Sequence, residues 1–126
     1  MIDIESGKKK ALIVDEYDGW SKLVIEAGKD NGFDVSEADS AEKGIEQVGL
    51  GGNAVVFSAS FNADGFIVLG KAVTEGARPV LLTGDPDMID TARKFGLEVI
   101  DKGDKNALES IYKVFIAVGE EIDDKK

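Results

Sequence analysis

The stretch Lys8-Lys9-Lys10-Ala11-Leu12-Ile13-Val14-Asp15-Glu16 decides how this chain folds. Three lysines lead into four consecutive apolar residues, and two carboxylates close the run. A run with no polar alternation has no solvent face, so it reads as a strand covered on both sides. The pattern returns downstream. Ala54-Val55-Val56-Phe57 ends at Ser58. Val80-Leu81-Leu82 is opened by Arg78-Pro79 and ends at Thr83. Leu97 to Ile100 ends at Asp101-Lys102. Phe33-Asp34-Val35 reads as a shorter second strand.

Helical spacing fills the intervals. Trp20, Leu23, Val24 and Ala27 stand at i, i+3, i+4 and i+7, and Asn31-Gly32 closes that helix. Ser40 is the predicted N-cap of a second helix, with Glu42-Lys43 in its first turn and Ile45 and Val48 inward. It stops in Gly49-Leu50-Gly51-Gly52. That glycine cluster follows a helix and precedes a strand, so it reads as a turn and not as a phosphate loop. After the loop Ala59-Ser60-Phe61-Asn62-Ala63, Asp64 is expected to cap a third helix running from about Phe66 to Glu75. Phe66, Leu69 and Val73 would face inward, with Gly76 as the stop. Gly84-Asp85 turns into a fourth helix with Pro86 at its first position, lasting to Phe95-Gly96. The last helix places Leu108, Ile111, Tyr112 and Phe115 on one face. Val114, Ile116 and Val118 fall off that face and read either as a partner surface or as isolated surface residues.

Five strand-helix units with short connections specify a parallel sheet with helices on both faces and right-handed crossovers. The expectation is one doubly wound, flavodoxin-like α/β domain over residues 1–126, strand order 2-1-3-4-5. Its core spans about 9–118, and 119–126 form a charged tail, expected to fray over Glu120 to Lys126.

Composition narrows the chemistry. The 126 residues contain no cysteine and no histidine, which excludes disulfides, thiol enzymes and histidine-dependent triads. Lys+Arg 15 against Asp+Glu 25 gives a net charge of −10, which argues against a nucleic-acid partner. No apolar run reaches the ~18 residues of a membrane span, and no export leader stands out, so a cytoplasmic location away from membranes is expected.

In an open parallel sheet the site lies beyond the carboxyl ends of the strands. Those ends carry Asp15, Glu16, Ser58, Thr83 and Lys102. No glycine-rich phosphate cradle accompanies them; Asp15-Glu16-Tyr17-Asp18 repels phosphate unless a cation intervenes.

At this point Ala11 to Glu16, Pro79-Val80-Leu81-Leu82-Thr83-Gly84 and Lys102 resemble a bacterial response-regulator receiver (CheY-like) domain, over about residues 9 to 118. The resemblance implies that Asp15 and Glu16 occupy Mg²⁺-holding positions and that Thr83 and Lys102 occupy phosphoryl-contact positions. It also implies that Ser58 stands where the phosphoacceptor aspartate belongs. Other departures agree. The Met-Pro turn after the acceptor is absent, Gly103 follows the lysine where proline is usual, and Val99 replaces the aromatic switch residue. A serine hydroxyl is un-ionised and needs a base, and a carboxylate of pKa about 4 is poorly matched to that task.

The expectation is therefore a degenerate pseudo-receiver, not an enzyme and without catalytic residues. It would act in two-component or phosphorelay signalling by protein–protein interaction without aspartyl phosphorylation. No cofactor is required, with at most a weak Mg²⁺ site on Asp15 and Glu16. Lys102 is expected to reach Asp15, with Thr83 and Ser58 hydrogen-bonded around the pair. The resemblance places the partner surface, for a signalling protein or a second copy, on helix 4, strand 5 and helix 5, with Val99, Val114, Ile116 and Val118. Two other readings stay open: a receiver phosphorylated on a non-standard acceptor, and a small-molecule binder on a flavodoxin-like scaffold.

Overall fold

A computed structural model describes residues 9–16, 19–59 and 63–124. Residues 60–62 of the predicted loop and Tyr17-Asp18 of the acidic turn lie outside them. Ten elements alternate: β1 (Lys10–Val14), α1 (Ser21–Asp30), β2 (Asp34–Ala38), α2 (Ala41–Gly49), β3 (Val55–Ser58), α3 (Asp64–Thr74), β4 (Arg78–Thr83), α4 (Pro86–Lys94), β5 (Glu98–Asp101) and α5 (Ala107–Asp124). All strand pairs are parallel, and the sheet order is β2-β1-β3-β4-β5, as the sequence predicts.

The central strands are buried on both faces. Ala11, Ile13, Val55, Phe57, Val80 and Leu82 face α1 and α5. There they meet Val24, Ala27, Ile111 and Phe115, with Phe115 tilted against Phe33 and Phe57 at ring-centroid distances of 5.0 and 5.3 Å. Leu12, Val14 and Val56 face Val48, Val68 and Ala72 of α2 and α3. Leu81 packs with Leu69, Met88 and Ala92 on the same side. The helices approach β1 and β2 closely because two glycines permit it. A Cβ on Gly44 would stand 2.6 Å from Val14 Cγ2, and one on Gly28 would stand 2.3 Å from Val35 Cγ2.

β2, β3 and β5 each start one residue later than predicted, and for β2 and β5 the reason is the same. At the end of α1, Gly32 takes φ 80°, its N–H donates to Lys29 O, and the Phe33 N–H donates to Gly28 O. At the end of α4, Gly96 takes φ 73°, and the Leu97 N–H donates to Ala92 O. Phe33, buried, and Leu97, half-buried, are thus the closing residues of Schellman motifs and are not strand members. β2 also runs on to Ala38, although Asp34, Ser36 and Glu37 are exposed. It forms one edge of the sheet and pairs with β1 alone.

Three helices are rotated from their predicted faces. α1 buries Ser21, Val24, Ala27 and Gly28, leaving Leu23 largely exposed. α3 buries Gly65, Val68, Leu69 and Ala72, and Val73 points outward. In α5 the inward stripe is Ala107, Ile111, Val114, Phe115 and Val118. Val114 and Val118, expected as partner surface, are 4% and 5% exposed and belong to the core, because i, i+3, i+4 and i+7 from Ile111 selects them. Ile116 is exposed, as expected. Val99 is half-buried against the Leu69–Leu81–Met88–Ala92 cluster on the opposite side of the sheet. The four residues therefore do not share a surface.

The last helix continues into the charged tail: α5 runs to Asp124, with Gly119 buried. Its end is held to the strand starts. Arg78 donates from Nε and an Nη to the two carboxylate oxygens of Glu98 at 2.8 and 3.2 Å and lies 3.8 Å from Glu121, while Lys9 meets Asp123 at 3.4 Å.

The glycine packing gives a test. Gly44→Ala is expected to destabilise the protein by about 1–3 kcal/mol, because Val14 must move. Gly70→Ala, in a helix interior where an added Cβ meets nothing within 4 Å, is expected to stabilise it by roughly 0.5–1 kcal/mol. Urea-unfolding midpoints of the two variants check the opposite signs.

Candidate functional site

Sheet register gathers the predicted residues at one edge. Val14 lies beside Ser58, Ser58 beside Leu81, and Thr83 beside Asp101. Asp15 and Glu16 follow β1, Ser58 and Thr83 end β3 and β4, and Lys102 follows β5. The Lys102 N–H donates to Thr83 O at 3.0 Å, extending the last ladder onto the rim.

Asp15 is 5% exposed and has a role the sequence did not disclose. Its Oδ2 accepts the N–H of Trp20 at 2.9 Å and of Ser21 at 3.2 Å. α1 has no side-chain cap of its own at Trp20, so the β1 carboxylate satisfies its leading amides and places a negative charge at its amino end. Lys102 is half-buried. Desolvation pushes its ammonium pKa below the ordinary value, and attraction to Asp15 partly opposes this.

The hydrogen-bonded ring of Thr83 and Ser58 expected around Lys102 and Asp15 does not form. Ser58 is fully buried, and its Oγ is the one buried side-chain polar atom among the described residues with no hydrogen-bond partner. Thr83, 2% exposed, turns toward α4: its Oγ1 accepts the Asp85 N–H at 3.1 Å and donates to Met88 Sδ at 3.9 Å. The reason is local. Both residues end their strands on the sheet face covered by α2, α3 and α4, and the turn after β4 brings its own amide within reach.

Glu16 is exposed and, with Asp15, lines an open cleft of about 480 Å³ completed by Glu37, Ala38, Asp39, Lys43 and Gln47. The sequence reading did not include the β2 end, because it closed β2 at Val35, three residues early. Asp64 is not a cap: α3 begins on it, Ala63 holds the N-cap position, and no side-chain cap bond forms. It contributes as an acid in the first helical turn. Gly51 and Gly52, at φ 77° and 87°, make the predicted turn before β3.

These residues fit a divalent cation poorly. Among the described residues no three carboxylates are grouped so that they could hold a metal ion, one Asp15 oxygen is committed to the α1 amides, and Ser58 adds no charge. Mg²⁺ is usually held by one or two carboxylates together with phosphate and water. Asp15 and Glu16 would supply those carboxylates, with Glu37 and Asp39 on the far wall of the same cleft.

The Lys102 environment predicts a pH dependence. A lowered pKa means that the native state holds this proton less tightly than the unfolded chain. Stability therefore gains a component that rises with pH, from the depressed value up to the ordinary 10.5. That component is absent in Lys102→Met. Urea midpoints of both proteins from neutral pH upward should diverge in favour of the wild type; parallel profiles refute the assignment.

No protein-family model matches the sequence, and no curated protein matches it. Solved structures do match the fold. A response regulator from Thermotoga maritima superposes with TM-score 0.72 at 18% identity, over 90% of this chain and 98% of that one. An orphan response regulator of H. pylori gives 0.72 at 16% identity over 90% and 98%. A de novo designed Rossmann 2x3 fold protein gives 0.70 at 15% identity over 87% and 90%. At these identities the likeness is one of architecture: the chain has the flavodoxin-like α/β fold of response-regulator receiver domains.

Proposed function

We propose that this chain is a receiver-like signalling module that acts by docking to another protein, without aspartyl phosphorylation, without catalysis and without a required cofactor. One observation carries the reading. The residue at the end of β3 is a neutral, fully buried serine whose Oγ contacts no base. Phosphoryl transfer needs an aligned nucleophile, and an alcohol needs a base to become one. Neither Asp15 nor any other described carboxylate hydrogen-bonds Ser58 Oγ, and histidine is absent from the sequence. Thr83 and Lys102 hold contact positions with no acceptor charge between them. The partner surface is expected on α4, β5 and α5, and on α5 the exposed large apolar side chains are Leu108 and Ile116, in place of the buried Val114 and Val118.

The test is incubation with acetyl phosphate and Mg²⁺, read by intact mass. The expected result is no phosphoryl adduct on the wild type. An adduct that is lost in Ser58→Ala identifies a serine acceptor and overturns the proposal. An adduct that persists in Ser58→Ala places the acceptor on another side chain and overturns it equally.

A further inference from the structure

α3 is apolar on both of its sides, although only one of them meets the core. Gly65, Val68, Leu69 and Ala72 face the sheet. On the far side Ile67 is 57% and Val73 56% exposed, and Gly70 and Thr74 lie open beside them. A helix with two apolar sides is one that packs on both. The Thr74 hydroxyl donates to Gly70 O at 3.1 Å, so the one hydroxyl on this face is satisfied within the helix. Gly70 adds a separate observation. A glycine inside a helix costs stability relative to alanine. Gly28 and Gly44 are required because a Cβ there would stand 2.3 and 2.6 Å from Val35 and Val14 side-chain carbons. A Cβ on Gly70 would meet nothing within 4 Å, and Gly70 is not a positive-φ glycine. No contact inside the chain requires it. Between Ile67 and Val73 it leaves a notch in the outer surface, where another helix can come close.

Charge selects the occupant. Between Gln47 and Thr74 the only charged residues are Asp64 and Lys71, of opposite sign, in a chain with net charge −10 and 32% charged residues. Two copies of so acidic a chain repel over most of their surface, and this stretch is the exception. Asp64 and Lys71 stand seven residues apart, close to two helical turns, so both lie on one flank of the outer face. We propose that α3 pairs antiparallel with α3 of a second copy, across a two-fold axis passing midway between residues 68 and 69. Ile67 of each copy then enters the notch at Gly70 of the other. In such a pair like flanks face each other, and Asp64 of each copy falls about 3 Å along the axis from Lys71 of the other. Lys71 also pairs with Glu75 at 3.4 Å, which draws its ammonium toward the carboxyl end of the helix, the direction in which the second copy's Asp64 lies. A parallel pair would instead set this flank against Phe66 and Val73 and lose the charge match. The contact is isologous and closes on itself. It leaves α5, on the opposite side of the sheet, uncovered in both copies, and it stands whether or not the chain signals by docking.

Sedimentation equilibrium is the measurement. One pair of 11-residue helices makes an interface of the small, transient class, so the wild type is expected to show a monomer–dimer equilibrium between about 10 μM and about 1 mM. Ile67→Ser and Gly70→Gln should each weaken it roughly tenfold or more. Gly70→Gln should at the same time raise the urea-unfolding midpoint, because glutamine is the better helix former, so its weaker association cannot come from a lost fold. Asp64→Lys and Lys71→Glu each bring like charges together and should weaken association when studied singly. An equimolar mixture of these two variants should recover it, because both cross-copy pairs are then opposite in sign. A wild type that stays monomeric throughout, association indifferent to Ile67→Ser or Gly70→Gln, or a mixture that associates no better than its components each overturns the proposal. Association lost in Ile116→Ser and kept in Ile67→Ser places the second copy on α5 and overturns it equally.

Discussion

The three inner strands have no face in water, and that constraint arranges the rest of the molecule. Leu12, Val56 and Leu81 look one way while Ile13, Phe57 and Val80 look the other, so helices are needed on both sides. Two-sided burial leaves polar groups a single place on these strands, their ends. It also demands close approach: Gly28 against Val35 and Gly44 against Val14 bring α1 and α2 down onto the sheet with no room for a methyl group. Register does the remainder. Because the strands are parallel, their carboxyl ends reach the same edge, and residues far apart in sequence become neighbours there.

The edge so formed gathers polar side chains whose bonding is mostly local. Asp15 serves the helix that follows it, Thr83 serves the helix that follows it, and Lys102 retains an electrostatic connection to Asp15. Ser58 stands among them with an unanswered hydroxyl. Each of the first two side chains is drawn into supporting its own crossover, a structural duty that leaves less capacity for binding. The scaffold does not dictate otherwise: a designed protein and natural response regulators match it to a similar degree. Function on such a fold has to be argued from the side chains at its edge.

The sheet order and all ten elements were legible because apolar runs, helical spacing and the glycine stops agree with one another. The boundaries of β2 and β5 were not. Phe33 and Leu97 look like strand residues by composition, yet backbone closure of the preceding helix claims both. The tilt of α5 was misread because Leu108 and Tyr112 are apolar enough to compete with Val114 and Val118 for the inward stripe, and only packing against Phe33 and Phe57 decides between them. At the site, the identities and strand-end positions of Asp15, Ser58, Thr83 and Lys102 could be read from order alone. Their bonding could not, since a carboxylate capping a helix five residues on, or a threonine reaching a methionine, depends on loop geometry that no periodicity encodes.

The free edge at β2 has a consequence for solution behaviour. A strand with unpaired amides and carbonyls is a template for another chain, and long apolar edges seed cross-β stacking. Here the outermost strand exposes Asp34, Ser36 and Glu37 along five residues. Two such edges meeting side by side would bring carboxylates together, in a protein that already carries ten excess negative charges. The acidity of this outermost strand therefore guards this border of the sheet against fibrillar growth.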